Sequence, residues 1–469
     1  MLKPLIPLIL AGFIGFGVWV FRRLPGPYAV LLIVIGGQLF LPEVQVAART
    51  AETPAAITLP LIKLAKTHVI AYALLAGSLW CDKRRWREVY LRWYDLPMVV
   101  WCLAPLLASW DNDLGLYDGY SEFMQQTIAW GVPYWMGRLY LGSRDGLRAW
   151  CAAVIVGAVV YVPLCLIEMR FSPQLHNWVY GFHAADFVHT ARDGGYRPSG
   201  FLEQGLALAL YLSVATVCAF WLWTRDTFRA FVVRPDWPHV SLGLMVIALV
   251  GTLAFAHSLG AQLLAVLGAS VLVICLVARS ALPLWVLVAF PPCYIAVRYS
   301  AEWKPQAVVA WVRENVSVKR AESLDIRLTN EQVLVDKAQE RPLFGWGGWN
   351  RSRVRDEFGR DKSLTDSLWI VSLGATGLFG LGAMVITGLL PPARLIWHCP
   401  PKAWRTPAEG PAAAVAVALL MVVLDQLANA QLNGAYMVAL GAAGGAATSL
   451  RPRNVNVGRA RVSRQLVEV

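Results

Sequence analysis

Two guanidinium groups, Arg327 and Arg341, and a carboxylate, Asp366, fall in or directly after the polar stretch 300–365 of a chain that is otherwise dominated by apolar runs. A guanidinium is permanently charged, and its planar fork matches phosphate oxygens, so Arg327 and Arg341 suit a diphosphate held at a bilayer surface. A carboxylate at the mouth of an apolar run holds its proton more tightly than one in water, which suits Asp366 to act as a general base toward a hydroxyl. Plainer readings fit as well. The arginines suit a solvated helix face or anionic lipid headgroups, and Asp366 suits a helix start favoured by the dipole.

Further candidates lie elsewhere in the chain. Arg197 precedes Pro198-Ser199-Gly200 at the entrance to an apolar run, and Glu203 closes the same segment. Both are candidates for substrate binding. Arg138 falls inside the run 126–142, where an ionisable group is a site candidate by default, although snorkelling to the interface also explains it. His257 ends a run directly before Ser258-Leu259-Gly260-Ala261, a place for a substrate contact or for a packed, hydrogen-bonded ring. His176, His183 and His189 lack a compact ligand spacing such as His-Glu-x-x-His, so no metal site is expected.

These residues need a frame. Hydrophobic residues make up 57% of the chain and charged residues 15%, a balance outside the soluble globular class. Apolar runs near 5–21, 27–42, 59–80, 97–109, 126–142, 148–167, 205–223, 240–257, 260–278, 282–298, 366–391, 411–430 and 434–449 predict about twelve to thirteen membrane helices. The segments must be helical, because hydrocarbon offers nothing to an open sheet edge. The run 5–21 reads as a retained span rather than a cleaved leader, since no small-residue cleavage site follows it. The whole of 1–469 reads as a single membrane domain.

The 42 Lys+Arg against 30 Asp+Glu give a net charge of +12, but the excess is distributed by loop. Arg22-Arg23, the Lys83–Arg92 cluster, Arg144, Arg148, Arg225–Arg234, Arg394–Arg405 and the basic tail 450–469 alternate with the loops 110–125, 168–204 and 300–365. The positive-inside rule makes the basic set cytoplasmic and the other set exported. Nucleic acid is therefore not an expected partner; membrane lipids are. The eight cysteines avoid the exported loops, so no disulfide framework is expected. Within 300–365, Ser323 is the expected N-cap of an amphipathic helix from Leu324 to Gln339. Leu324, Leu328 and Val335 would share one face, with Arg327, Glu331 and Lys337 more exposed. Pro342 and the glycines at 345, 347 and 348 then turn the chain.

The order Ser323-Leu-Asp-Ile-Arg327, Pro342-Leu-Phe-Gly-Trp-Gly347 and Gly377-Leu-Phe-Gly380, with Arg197-Pro-Ser-Gly-Phe201 before a span, resembles the O-antigen ligase and Wzy-type polymerase superfamily. The similarity covers roughly residues 196–382. Two positions depart from the family pattern: Asp366 stands where the family has a histidine, and Leu259 where its Ser-Arg-Gly-Ala motif has an arginine. The resemblance implies an all-α polytopic protein of the bacterial cytoplasmic (inner) membrane, with its site on the exported face. It also implies a metal-independent, cofactor-free, inverting glycosyltransferase of surface-polysaccharide biosynthesis. The donor would be a polyprenyl-diphosphate-linked glycan such as an undecaprenyl diphosphate, the acceptor a glycan, lipid or protein. Other polysaccharide-assembly proteins would be partners. Arg327 and Asp366 would be catalytic, with Arg197, Arg341, Arg138, His257 and Glu203 binding substrate. The alternative is a non-catalytic or transport component, a scaffold or flippase, of an export system.

Overall fold

A computed structural model describes residues 2–44, 57–58, 63–184, 190–192, 194–224, 242–300, 303, 305–348, 351–359, 361, 363, 367–406 and 408–449. Asp366, His189, the loop 225–241 and the tail 450–469 lie outside the described residues.

The chain folds as helices α1 (Ile6–Arg23), α2 (Gly26–Phe40), α3 (Lys66–Cys81), α4 (Leu96–Asp111), α5 (Leu116–Gln126) and α6 (Val132–Tyr140). There follow α7 (Arg144–Phe171), α8 (Gly205–Thr224), α9 (Leu242–Phe255), α10 (Leu259–Ala278) and α11 (Leu282–Tyr299). The remaining helices are α12 (Gln306–Asn315), α13 (Val318–Gln339), α14 (Leu368–His398), α15 (Gly410–Asp425) and α16 (Gly434–Ser449). Every apolar run of the sequence contains a helix. Among the described residues, six helices are long and apolar enough to cross a membrane: one from Lys3 to Arg23, and α7, α8, α10, α11 and α14. The helices Gly26–Phe40, Leu242–Phe255 and Gly410–Asp425 are apolar but shorter. The described residues are mainly helical, with two short two-stranded pairings, and the apolar helices make this a multi-pass membrane protein.

Three boundaries differ from the sequence expectation. The run at 59–80 becomes helical only at Lys66, after a short hairpin pairing Ile57–Thr58 with Lys63–Leu64. Pro60, with no N–H to donate, is a poor helix former just ahead of that start. The segment 110–125 is not a plain loop, because α5 begins at Leu116 and runs through one π turn, Thr127–Gly131, into α6. The loop helix starts not at Ser323 but six residues earlier, where the Ser317 hydroxyl accepts from the Arg320 N–H and caps α13. Ser323 is exposed inside the helix.

In a bilayer, helices gain little from hiding apolar surface from one another, so close packing and hydrogen bonds must hold the bundle. Small residues supply the packing. α15 and α16 are rich in Gly and Ala and almost wholly buried. At Gly137 and Gly441, α6 and α16 come so close that an added Cβ would sit 1.9 Å from a carbonyl oxygen of the other helix. Two buried indoles add hydrogen bonds, Trp150 to the Ala435 carbonyl at 3.0 Å and Trp221 to the Gly410 carbonyl at 2.9 Å.

The bundle has two chemically distinct ends. Asp95, just before α4, meets Arg138 beside the basic Lys83–Arg92 segment, whereas Asn112, just after α4, hydrogen-bonds the Gly345 carbonyl at 2.9 Å. These two points are separated by the length of α4, about 24 Å at 1.5 Å per residue. They define a basic end and a loop end.

Candidate functional site

The polar stretch 300–365 is held to the loop end by three sets of contacts. First, the turn at Pro342–Gly347 docks onto a break in α14. Trp346 and Gly347 donate to the carbonyls of Gly374 and Ala375 at 2.9 and 3.0 Å, while Leu378 and Phe379 donate to those of Pro342 and Leu343 at 2.8 and 3.1 Å. α14 breaks at Gly377, with φ 63° and ψ −165°, and Gly345 opposite it has φ 70°. The two glycine motifs, separate in sequence, form one junction. Phe344 packs on Phe379 across it, ring centroids 5.6 Å apart.

Second, Glu331 fastens α13 to the ends of α11 and α14. Its carboxylate accepts from Tyr294 Oη at 3.0 Å, Arg298 Nε at 3.3 Å and Ser367 Oγ at 3.3 Å. Arg298, 1% exposed, also donates to the Leu328 carbonyl at 2.8 Å. Burial pushes the Glu331 carboxyl above the ordinary range, against the hydrogen bond from Tyr294 and the charge of Arg298. The expected exposure of Glu331 is thus corrected: it is buried, because a basic partner waits for it on α11.

Third, Arg351 grips Asp118 of α5 through both guanidinium nitrogens, at 2.9 and 3.1 Å, and donates to the Gly347 carbonyl at 2.6 Å. Arg351 holds the Asp118 carboxyl below its ordinary range. A depressed carboxylate contributes stability that is complete above its unfolded pKa of about 3.9 and lost as pH falls through the folded value. Both side chains are partly exposed, so the contribution is at most about 1 kcal/mol. Limited proteolysis around 349–360 should speed up below about pH 4 in wild type and be fast at neutral pH in Arg351→Ala. Equal cleavage of both proteins at neutral pH would remove this clasp from the account.

Between these fastenings lies a cavity of about 110 Å³ lined by Arg327 and Glu331 of α13, Tyr294 of α11, Ser367 and Ile370, and Leu427. The first residue of α14 bonds the turn after α15, Leu368 N–H to the carbonyls of Gln426 and Asn429 at 3.1 and 3.3 Å. That contact brings Asp425 beside the cavity, within electrostatic reach of Arg327. One Asp425 oxygen accepts from Asn429 Nδ2 at 2.9 Å; the other is buried with no hydrogen-bond partner among the described residues. Asp425 was not singled out from the sequence. Its signal was there, a carboxylate interrupting the apolar run 411–430. Asp366 lies outside the described residues, and its chain neighbour Ser367 lines the cavity.

The other expected site residues are dispersed. Arg341 stacks on Trp346, 5.0 Å from the ring centre, just past the end of α13, whose last residue, Gln339, lies about 18 Å along the helix axis from Arg327. Arg197 donates to the His257 carbonyl from Nε and Nη2 at 3.2 and 2.8 Å, at a residue whose φ is 48°. These two do meet, and the contact fixes the corner between α9 and α10. Glu203 lies within electrostatic reach of a buried pair, Lys66 and Glu43, whose charged atoms are 3.2 Å apart. Lys66 also donates to the Phe201 carbonyl at 2.7 Å. His176 is committed to structure: its Nε2 accepts from the Glu43 N–H at 3.1 Å and its Nδ1 donates to the Phe182 carbonyl at 2.8 Å. The loop bearing Arg197 is itself held by Glu168, which accepts from the backbone N–H groups of Leu175, Ser199 and Gly200 at 3.1, 2.7 and 2.7 Å.

Arg138 is at the basic end. It pairs with Asp95 at 3.5 Å and hydrogen-bonds Tyr94, the length of α4 away from the Gly345 turn. It does not join the Arg327 cavity. No protein-family model matches this chain, and no curated protein matches it.

Proposed function

We propose that this protein is an integral-membrane glycosyltransferase of the ligase or polymerase type, using a polyprenyl-diphosphate-linked glycan donor at its loop end. The basic loops of the opposite end make that face the exported side of a bacterial cytoplasmic membrane. The observation that carries the reading is the cavity at Arg327, where a guanidinium and two carboxylates, Glu331 and Asp425, gather at the point where a polar loop helix meets the ends of apolar helices.

In this reading Arg327 holds the donor diphosphate and stabilises the charge that develops on it. Asp366 takes the proton of the acceptor hydroxyl, whose oxygen attacks the anomeric carbon. The bond from that carbon to the diphosphate oxygen breaks, and the lipid diphosphate leaves with the electron pair. Attack opposite the leaving group inverts the anomeric configuration. Asp425 orients the guanidinium. Arg341 stands back from the cavity and draws in the anionic donor, whereas Arg197 braces the His257 carbonyl and Glu203 belongs with the Lys66–Glu43 pair. The rival reading, a non-catalytic or transport component, is favoured by Leu259, an exposed leucine at the start of α10 where the family it resembles has an arginine.

The test is a gel profile of surface polysaccharide and lipid-linked intermediates in cells lacking the protein, restored with wild type or with Asp366→Ala. Loss of long chains with accumulation of short lipid-linked units, rescued by wild type only, is expected. Full rescue by the variant would take the base role from Asp366.

A further inference from the structure

Arg138 has a second set of neighbours that the transfer reaction does not use. It forms one wall of a cleft of about 290 Å³ at the basic end, with Arg85, Tyr90, Trp135, Gly142 and Ser143 around it. Three guanidinium groups converge there, since Arg92 stacks over Tyr90 at 4.3 Å and Arg138 lies 5.8 Å from the same ring. Gly142 and Ser143 bring in the N-terminus of α7, a 28-residue helix capped by the Ser143 hydroxyl, which accepts from Gly146 N–H at 3.1 Å. The first turn of a helix carries partial positive charge and favours anions.

Four carboxylates belong to the surrounding elements: Asp95, Glu88, Asp82, whose charge acts on Tyr140 of the cleft wall, and Asp145 in the first turn of α7. Asp95 is satisfied within the protein by Tyr134 Oη at 2.8 Å and the Arg92 N–H at 3.0 Å, besides Arg138. Glu88 meets Arg85 at 3.2 Å, but that pair is exposed and contributes little, so an incoming anion can displace it. Of the charged residues at this end, those that line the cleft itself are Arg85, Arg138 and Glu88, two guanidinium groups against one carboxylate.

The aromatic residues at this end point to a lipid as the source of the anion. Trp80, Tyr90, Trp93 and Trp397 are all largely exposed at this end, as interface aromatics are at headgroup level. We propose that the cleft seats the phosphate of an anionic phospholipid from the leaflet on the basic side, held by Arg85 and Arg138 over the N-terminus of α7. This site is at the opposite end from the Arg327 cavity and stands whether or not the glycosyltransferase reading holds.

The purified full-length protein in a zwitterionic detergent would be titrated with phosphatidylglycerol, phosphatidylcholine or inorganic phosphate, and bound lipid counted by native mass spectrometry. Phosphatidylglycerol should be retained by wild type, and Arg85→Ala should weaken it about fivefold, the usual effect of one basic residue near an anionic surface. Arg138→Lys, which keeps the charge but loses the fork, should weaken it severalfold while the Asp95 pair still holds the fold. Equal retention of the two lipids, or unchanged binding in both variants, would overturn the site. Inorganic phosphate binding as tightly as the lipid would overturn the lipid assignment in favour of a soluble phosphoester.

Discussion

Arg327→Ala should lower glycan transfer by about 10²- to 10³-fold, the usual consequence of removing one preorganised group from a developing anion, while the protein accumulates to wild-type level. The two halves of this expectation rest on different residues. On the proposed mechanism, transfer depends on the guanidinium because it is the one arginine of the loop helix that lines the cavity with Glu331 and Ser367. Accumulation does not depend on it because α13 is fastened by Glu331, Arg298 and the buried Leu334 and Val335. Arg327→Lys should fall between the two, keeping a charge while losing the paired donors that fit a diphosphate. The measurement is transfer by purified protein from a lipid-linked oligosaccharide to its acceptor, with thermal unfolding alongside. Wild-type transfer by Arg327→Ala would remove the arginine from the mechanism and favour the scaffold reading.

Gly377→Ala should destabilise the loop end by about 3 kcal/mol or more. Two costs add. The backbone at Gly377 is in a region populated almost only by glycine, which costs an alanine about 1 to 3 kcal/mol. The new Cβ would also sit 2.3 Å from the Leu343 carbonyl oxygen and 2.6 Å from the Gly345 nitrogen, backbone atoms that cannot turn aside. Overpacking of this kind costs about 1 to 3 kcal/mol more. Relief requires the Pro342–Gly347 turn to lift off α14, so transfer should fall together with melting temperature. Gly382→Ala, on the same helix with open space around its position, is the control and should change neither. An unchanged melting temperature in Gly377→Ala would mean that the junction does not hold the loop.

The sequence by itself determined the class of protein and the helical state of its apolar runs, because burial in hydrocarbon leaves the backbone one way to satisfy its hydrogen bonds. The runs themselves were legible as unbroken apolar residues. The alternation of basic and acidic loops likewise marked two faces, and Arg138 beside Asp95 at one end with Asn112 beside Gly345 at the other follows that division. Glycines 345 and 377 stood out one by one. Their meeting did not, since nothing local to either says that a turn will donate to a broken helix.

Only the tertiary structure decided which charges belong together. Glu331 looked solvent-facing from helical periodicity, yet Arg298, thirty-three residues earlier, draws it inside. Arg138 looked like a partner for Arg327 and lies at the other end of the bundle. Arg197 looked available for an anion and instead braces the His257 carbonyl. Asp425 passed for one residue of an apolar run until Leu368 bonded the turn beside it. The reason is common to all four. Periodicity reports the face of a single helix, whereas the worth of a charge in a membrane bundle is set by what the neighbouring helix places within about 4 Å of it.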